Sequence, residues 1–267
     1  MLGKLLKYET AATARIFLPI YGLILLLAGI NKLSWNYDFD SFDIPRSILM
    51  SVYVMLIVSA FVITLVVTIQ RFYRNLLGDE GYLSFTLPVK PHSHIDAKLI
   101  VTLMWAVLSI LVTVLSIFIF VANADTLEKF SRACAQIREL YQAYGISAHI
   151  ITLEIIIMMV VSFWSSILQI YASVTIGNLA GRHKLLAGVG AYLGFGIVEQ
   201  TITSVLVTVF HQQIQDYFSS FKDFAGATYP AEPIEVGLLI LILFSAAFAV
   251  AFYIFTNWML TNKLNLE

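Results

Sequence analysis

The chain has 267 residues, with 16 Lys and Arg against 17 Asp and Glu, so only 12% are charged while 59% are hydrophobic. Soluble domains carry about twice that charged fraction, and the mean hydropathy here is +0.84. A water-soluble enzyme or nucleic-acid binder is thereby excluded, and a membrane protein with a near-zero net charge of −1 is expected.

Residues Met1 to Ala14 come first, with Leu2, Leu5, Leu6 and Tyr8 beside Lys4 and Lys7, a pattern that suits a short helix lying in the inner headgroup layer. The apolar run that follows Arg15 shows no A-x-A cleavage site, so the first span, about 16–33, is expected to stay as an anchor. Its far tip interleaves Trp35, Tyr37, Phe39 and Phe42 with Asp38, Asp40 and Asp43. Such a tip reads as an aromatic interfacial belt or as an acidic site for a cationic substrate.

Four stretches are free of charge: Ile16–Asn31, Ser47–Gln70, Leu99–Ala124 and Val236–Asn262. Two more, Ile150–Gly177 and Leu185–Phe210, hold one acid each, Glu154 and Glu199. A bilayer core of about 30 Å needs about 20 apolar residues per helix. The expected fold is therefore an all-α membrane protein, a single polytopic domain over 1–267, with six spans near 16–33, 48–70, 99–122, 150–177, 185–210 and 236–260. With both termini inside, ten Lys or Arg fall on the inner side and six on the outer, which favours that orientation.

Between spans 2 and 3 lies RFYRNLLGDEGYLSFTLPVKPHSHIDAK, Arg71 to Lys98. Its middle, Gly78 to Val89, is a short amphipathic segment bounded by glycines and prolines. Asp79 and Glu80 suit a helix amino terminus, Gly81 follows them, Tyr82, Phe85 and Leu87 are the apolar anchors, and Pro88 and Pro91 end the element. Exposed aromatic side chains on the inner face point to a docking surface for a soluble partner; the alternative is a solvated basic turn.

Past span 3, Leu127, Phe130, Cys134, Ile137, Tyr141 and Tyr144 recur at helical spacing, with Asp125 and Glu128 at the start and Gly145 as the stop. A second such stripe runs through Ile214, Tyr217, Phe218, Phe221 and Phe224 to Gly226. Both read as surface helices that either lie at the interface or act as lids. Within the spans, a carboxylate in hydrocarbon costs at least about 2.5 kcal/mol. Glu154, Glu199 and the adjacent Gln200 are thus expected in hydrogen bonds across helices, or in a polar patch along a pathway or between subunits. Gly190 and Gly194 form a G-x-x-x-G that lets helices approach closely, within one chain or between two.

Enzyme signatures are missing: no H-E-x-x-H, no G-x-S-x-G, no Asp inside a span and no phosphate-binding G-x-x-x-x-G-K-[ST]. The lone Cys134 makes no internal disulfide, and none of the five His has a partner at metal spacing. No catalytic residue, metal or cofactor is expected in this chain.

Glu80, Gly81, Leu87-Pro88-Val89, Lys90 and Lys98 stand in the order seen in the ATP-binding-cassette (ABC) type-2 exporter permeases, which this chain resembles along its whole topology. Ile176-Gly177-Asn178-Leu179 with His183-Lys184 is similar to a Gram-positive branch of those permeases. The resemblance implies that Gly78 to Pro88 form a coupling helix gripped by a soluble ABC ATPase subunit, which holds the ATP and Mg. It also implies a second permease copy or a similar permease as partner, membrane lipid rather than nucleic acid around the chain, and a bacterial plasma-membrane location with both termini cytoplasmic. The expected function is export of a hydrophobic or cationic substrate such as a peptide or drug. The alternatives are a non-transporting immunity or sensor protein that binds a peptide at its outer face, and an intramembrane hydrolase using Glu154, Glu199 and a histidine.

Overall fold

The computed structural model describes residues 2–36, 43–78, 91–180, 182–209 and 232–262. These are 97% helical, with no strand among them, and six of the helices are long and apolar enough to cross a membrane. The elements are α1 (Leu2–Asn36), α2 (Asp43–Phe72) with a π-helical turn (Tyr73–Leu77), α3 (Pro91–Val121), α4 (Ala124–Tyr144), α5 (Ile146–Leu179), α6 (Lys184–Val209) and α7 (Glu232–Asn262). Helix is the form expected in hydrocarbon, where every backbone polar group must be satisfied within its own segment.

The helices overrun the charge-free stretches, and the overrun has local causes. The expected separate helix over residues 1–14 is continuous with the first span from Leu2 to Asn36. No breaker lies at the joint, and the hydroxyls of Thr10 and Thr13 fold back onto the Leu6 and Glu9 carbonyls at 2.7 and 2.8 Å. Pro91 was expected to close the preceding element. Instead it opens α3, where a missing N–H is harmless and the fixed φ suits a first turn. Helix α4 runs from Ala124 to Tyr144, and the chain turns at Gly145 with φ +56°, the left-handed region glycine tolerates. Residues 37–42, 79–90 and 210–231, with the aromatic tip, most of the docking segment and the second outer stripe, lie outside the described residues.

The chain forms two compact units, Met1–Arg132 and Ala133–Glu267. In the first, α1, α2 and α3 pack on one another. Phe17 stacks on Trp105 at 4.6 Å and 14°, and Tyr21 and Val67 complete the cluster. Lipid tails are as apolar as these side chains, so association rests on close packing and on hydrogen bonds between helices. The bonds form a series along the seam. Trp105 Nε1 donates to Thr13 Oγ1 at 2.7 Å, Tyr21 meets Ser109 at 2.7 Å, and Tyr53 meets Ser116 at 2.9 Å.

In the second unit α5 is the central helix, against which α7 and α6 pack. Gln169 Nε2 donates to the Tyr192 carbonyl across the α5–α6 seam, and Phe195 of α6 rests on Phe252 and Phe255 of α7. The tightest approach is at Gly177, where a Cβ would fall 2.6 Å from the Lys184 carbonyl and 2.9 Å from the Gly188 backbone. Gly190 and Gly194, expected to be packing positions, have nothing within 4 Å of such a Cβ. Their expected packing inside the chain is therefore not what the described residues show.

Gly177→Ala is expected to lower the melting temperature in detergent, because backbone must move to admit the methyl. Gly190→Ala and Gly194→Ala are expected to leave it unchanged or raise it slightly, since Ala favours helix by up to about 1 kcal/mol. Thermal unfolding of the three variants by circular dichroism checks the contrast.

Candidate functional site

The segment singled out in the sequence leaves α2 after Arg71 and enters α3 before Lys98, and both junctions are built. At the α2 end the helix widens into the π turn Tyr73–Leu77, and the Gly78 N–H closes it on the Tyr73 carbonyl at 2.8 Å. Such π turns are rare and recur at functional places. Phe72, Leu76 and Leu77 are buried there. At the α3 end, His94, Ile95, Ala97 and Lys98 are buried. The exit and the return of the segment thus stand on packed apolar side chains.

Glu9 of α1 joins the two. Its Oε2 meets Arg71 at 2.7 Å and its Oε1 meets Lys98 at 2.5 Å. The three side chains are 13%, 26% and 6% exposed, so water screens the pairs little. One carboxylate thus bridges two cations that stand on two other helices. Glu9 escaped the sequence reading because it sits among Lys4, Lys7 and Tyr8, where it resembles any headgroup neighbour. The signal was available: from Glu9, helical spacing leads through Thr13 and Phe17 to Tyr21, the buried stripe of α1.

Of the expected site residues, Gly78 is in place as the cap of the π turn, with extended backbone at φ −95°. Asp79, Glu80, Gly81, Tyr82, Phe85, Leu87 and Pro88 lie outside the described residues. Glu154 is buried on α5 at 8% exposure, and its Oε2 has no hydrogen-bond partner. The expected hydrogen bond across helices is thus missing at that oxygen. Glu199 is half-buried on α6 and Gln200 is exposed. The antiparallel register set by Gln169 and Tyr192 puts Glu199 level with Ser162. That is about 12 Å along the axis from Glu154 at 1.5 Å per residue, so the two acids are not brought together. No group of three or more His, Cys, Asp or Glu suited to a metal ion occurs among the described residues.

Compared with known proteins, the chain matches no family model, no curated protein and no solved structure.

Glu9→Ala is expected to cost about 3 kcal/mol, the range found when one partner of a buried pair is removed. Lys98→Met is expected to cost less, because Glu9 keeps Arg71. Unfolding by sodium dodecyl sulfate in mixed micelles gives both values; equal costs would show that Glu9 does not serve two cations.

Proposed function

We propose that the chain is the membrane-spanning permease subunit of an ATP-driven exporter of the ABC type-2 kind, and that residues 78–88 are the surface a soluble ATPase subunit grips. The observation that carries this reading is the pairing of a motif with a mount. Glu80-Gly81, Leu87-Pro88-Val89 and Lys90 follow the order of the resembled permeases, and both ends of that segment are tied to α1 through Glu9. A force applied to a loop that hangs loosely from two helices is lost in the loop. A loop whose two roots share one buried acid passes displacement into α1, α2 and α3 together.

In this reading the amino-terminal turns of α1 stand on the cytoplasmic side, both termini are cytoplasmic and the membrane is the bacterial plasma membrane. ATP and Mg belong to the partner. A second copy or a similar permease completes the pathway, and the small face at Gly190 and Gly194, which none of the described residues covers, is available to it. ATP binding draws two such loops together and switches the spans between inward- and outward-facing states, a coupling of binding free energies. The substrate is hydrophobic or cationic. A second reading, a sensor or immunity protein without transport, is favoured by α4, whose Leu127, Phe130 and Ile137 are all more than half exposed.

Co-expression with a soluble ABC ATPase subunit, followed by purification in mild detergent, separates the two. The permease reading predicts a stable complex with ATP hydrolysis that depends on this chain, and loss of both in Glu80→Ala/Phe85→Ala. A complex and turnover that survive the double substitution contradict the docking assignment.

A further inference from the structure

The second unit contains two buried acids that the docking account does not use. Glu154 of α5 is more than nine-tenths buried, and its Oε2 is fully covered without a hydrogen-bond donor. Glu235, in the first turn of α7, has a covered, partnerless Oε1 while the rest of its side chain is partly open. The Gln169–Tyr192 bond, the Phe195–Phe252 contact and the Ser162–Ser245 contact fit together only if α5 and α7 run in the same direction. The hydroxyls of Ser162 and Ser245, 3.5 Å apart, fix their register at an offset of 83 residues. Glu154 then stands level with Gly237, and Glu235 is two residues away, about 3 Å along the axis.

Helical rotation puts the two acids on one side of the seam. Glu154 is eight residues before Ser162 and Glu235 is ten before Ser245, which turns each side chain about 80° from the serine contact, in opposite senses on two parallel helices, at 100° per residue. Both residues therefore stand along the same groove of the α5–α7 seam, about 3 Å apart in height. The neighbouring polar groups bring no positive charge: Thr152 spends its proton on the Ala148 carbonyl and accepts from Tyr141. Among the described basic residues of this unit, Arg138 is exposed on α4 and His149 is exposed on α5, its ring against that of Tyr141. Arg182 and Lys184 lie at the other end of α5, about 40 Å along the axis.

We infer that this groove binds one small monovalent cation, held by Glu154 and Glu235 together. A single positive charge between them lowers both the repulsion between the carboxylates and the penalty of covering them in an apolar unit, and the partly open Glu235 is the way in. The chemistry is shared by an inorganic ion and by the primary ammonium group of an organic cation. The site stands on the α5–α7 geometry and holds whether or not an ATPase docks on the first unit.

Equilibrium binding of radiolabelled rubidium and of methylammonium to the full-length protein in detergent tests it. The expected result is saturable binding of at least one probe, weakened tenfold or more by Glu154→Gln and by Glu235→Gln separately, and unchanged by Glu128→Gln on exposed α4. Binding of methylammonium alone identifies an organic ammonium as the ligand, and rubidium binding identifies an inorganic ion. Absence of saturable binding by both probes, or binding that either Glu154→Gln or Glu235→Gln leaves intact, overturns the site. A measurement on the unmodified protein covers variants that fail to fold: dicyclohexylcarbodiimide labelling of Glu154 and Glu235, read by peptide mass spectrometry. The bound probe should reduce labelling of both residues, and equal labelling with and without it overturns the site as well.

Discussion

The first unit depends on one carboxylate. Glu9 reaches two cations on two other helices, so a single side chain ties α1 to α2 and to α3 at the place where they meet. Helices in lipid gain no net hydrophobic energy from touching each other, so directional contacts decide which faces meet and at what height. The Glu9 cluster sets that height at one end of the bundle. The Trp105–Thr13, Tyr21–Ser109 and Tyr53–Ser116 bonds hold it along the rest. The stacked Phe17 and Trp105 fill the space between, so rings and hydroxyls specify one packing.

The second unit is built on a different principle. Its closest contact is backbone on backbone, at Gly177 and Gly188. No side chain described on α6 is buried, although the helix carries Glu199 and Gln200. A span whose acid is half-buried and whose Gly190 and Gly194 are uncovered by the described residues needs lipid, water or another subunit there. Carboxylates are costly in lipid, so the open side of Glu199 calls for a polar neighbour, a proton or water.

Much of this architecture was legible from charge spacing alone. Runs such as Ser47–Gln70 have no other use than crossing a bilayer, and the stripe from Leu127 to Tyr144 with Gly145 behind it returned as α4. Helix ends were less legible, because the chain continues helical past the hydrocarbon edge wherever the next turns find partners, as Pro91 to Lys98 do. Contacts between helices were not legible. Gly190-x-x-x-Gly194 fits the small-residue pattern better than Gly177 and Gly188 do, yet the latter pair meets, since periodicity reports which residues share a face and not what that face meets. Glu9 was overlooked for the same reason. Its meaning comes from Arg71 and Lys98, which are 62 and 89 positions away.

The claim on which the rest turns is that Glu9 unites the two helices that flank residues 79–90, and a double-mutant cycle measures it. Stabilities of Glu9→Gln, Lys98→Met and the combined variant, and of the parallel set with Arg71→Met, give the coupling of Glu9 to each cation. The account predicts that the combined variants are less destabilised than the sums of the single ones, with couplings of about 1–3 kcal/mol for both pairs. Additive effects within about 0.3 kcal/mol for either pair would contradict it.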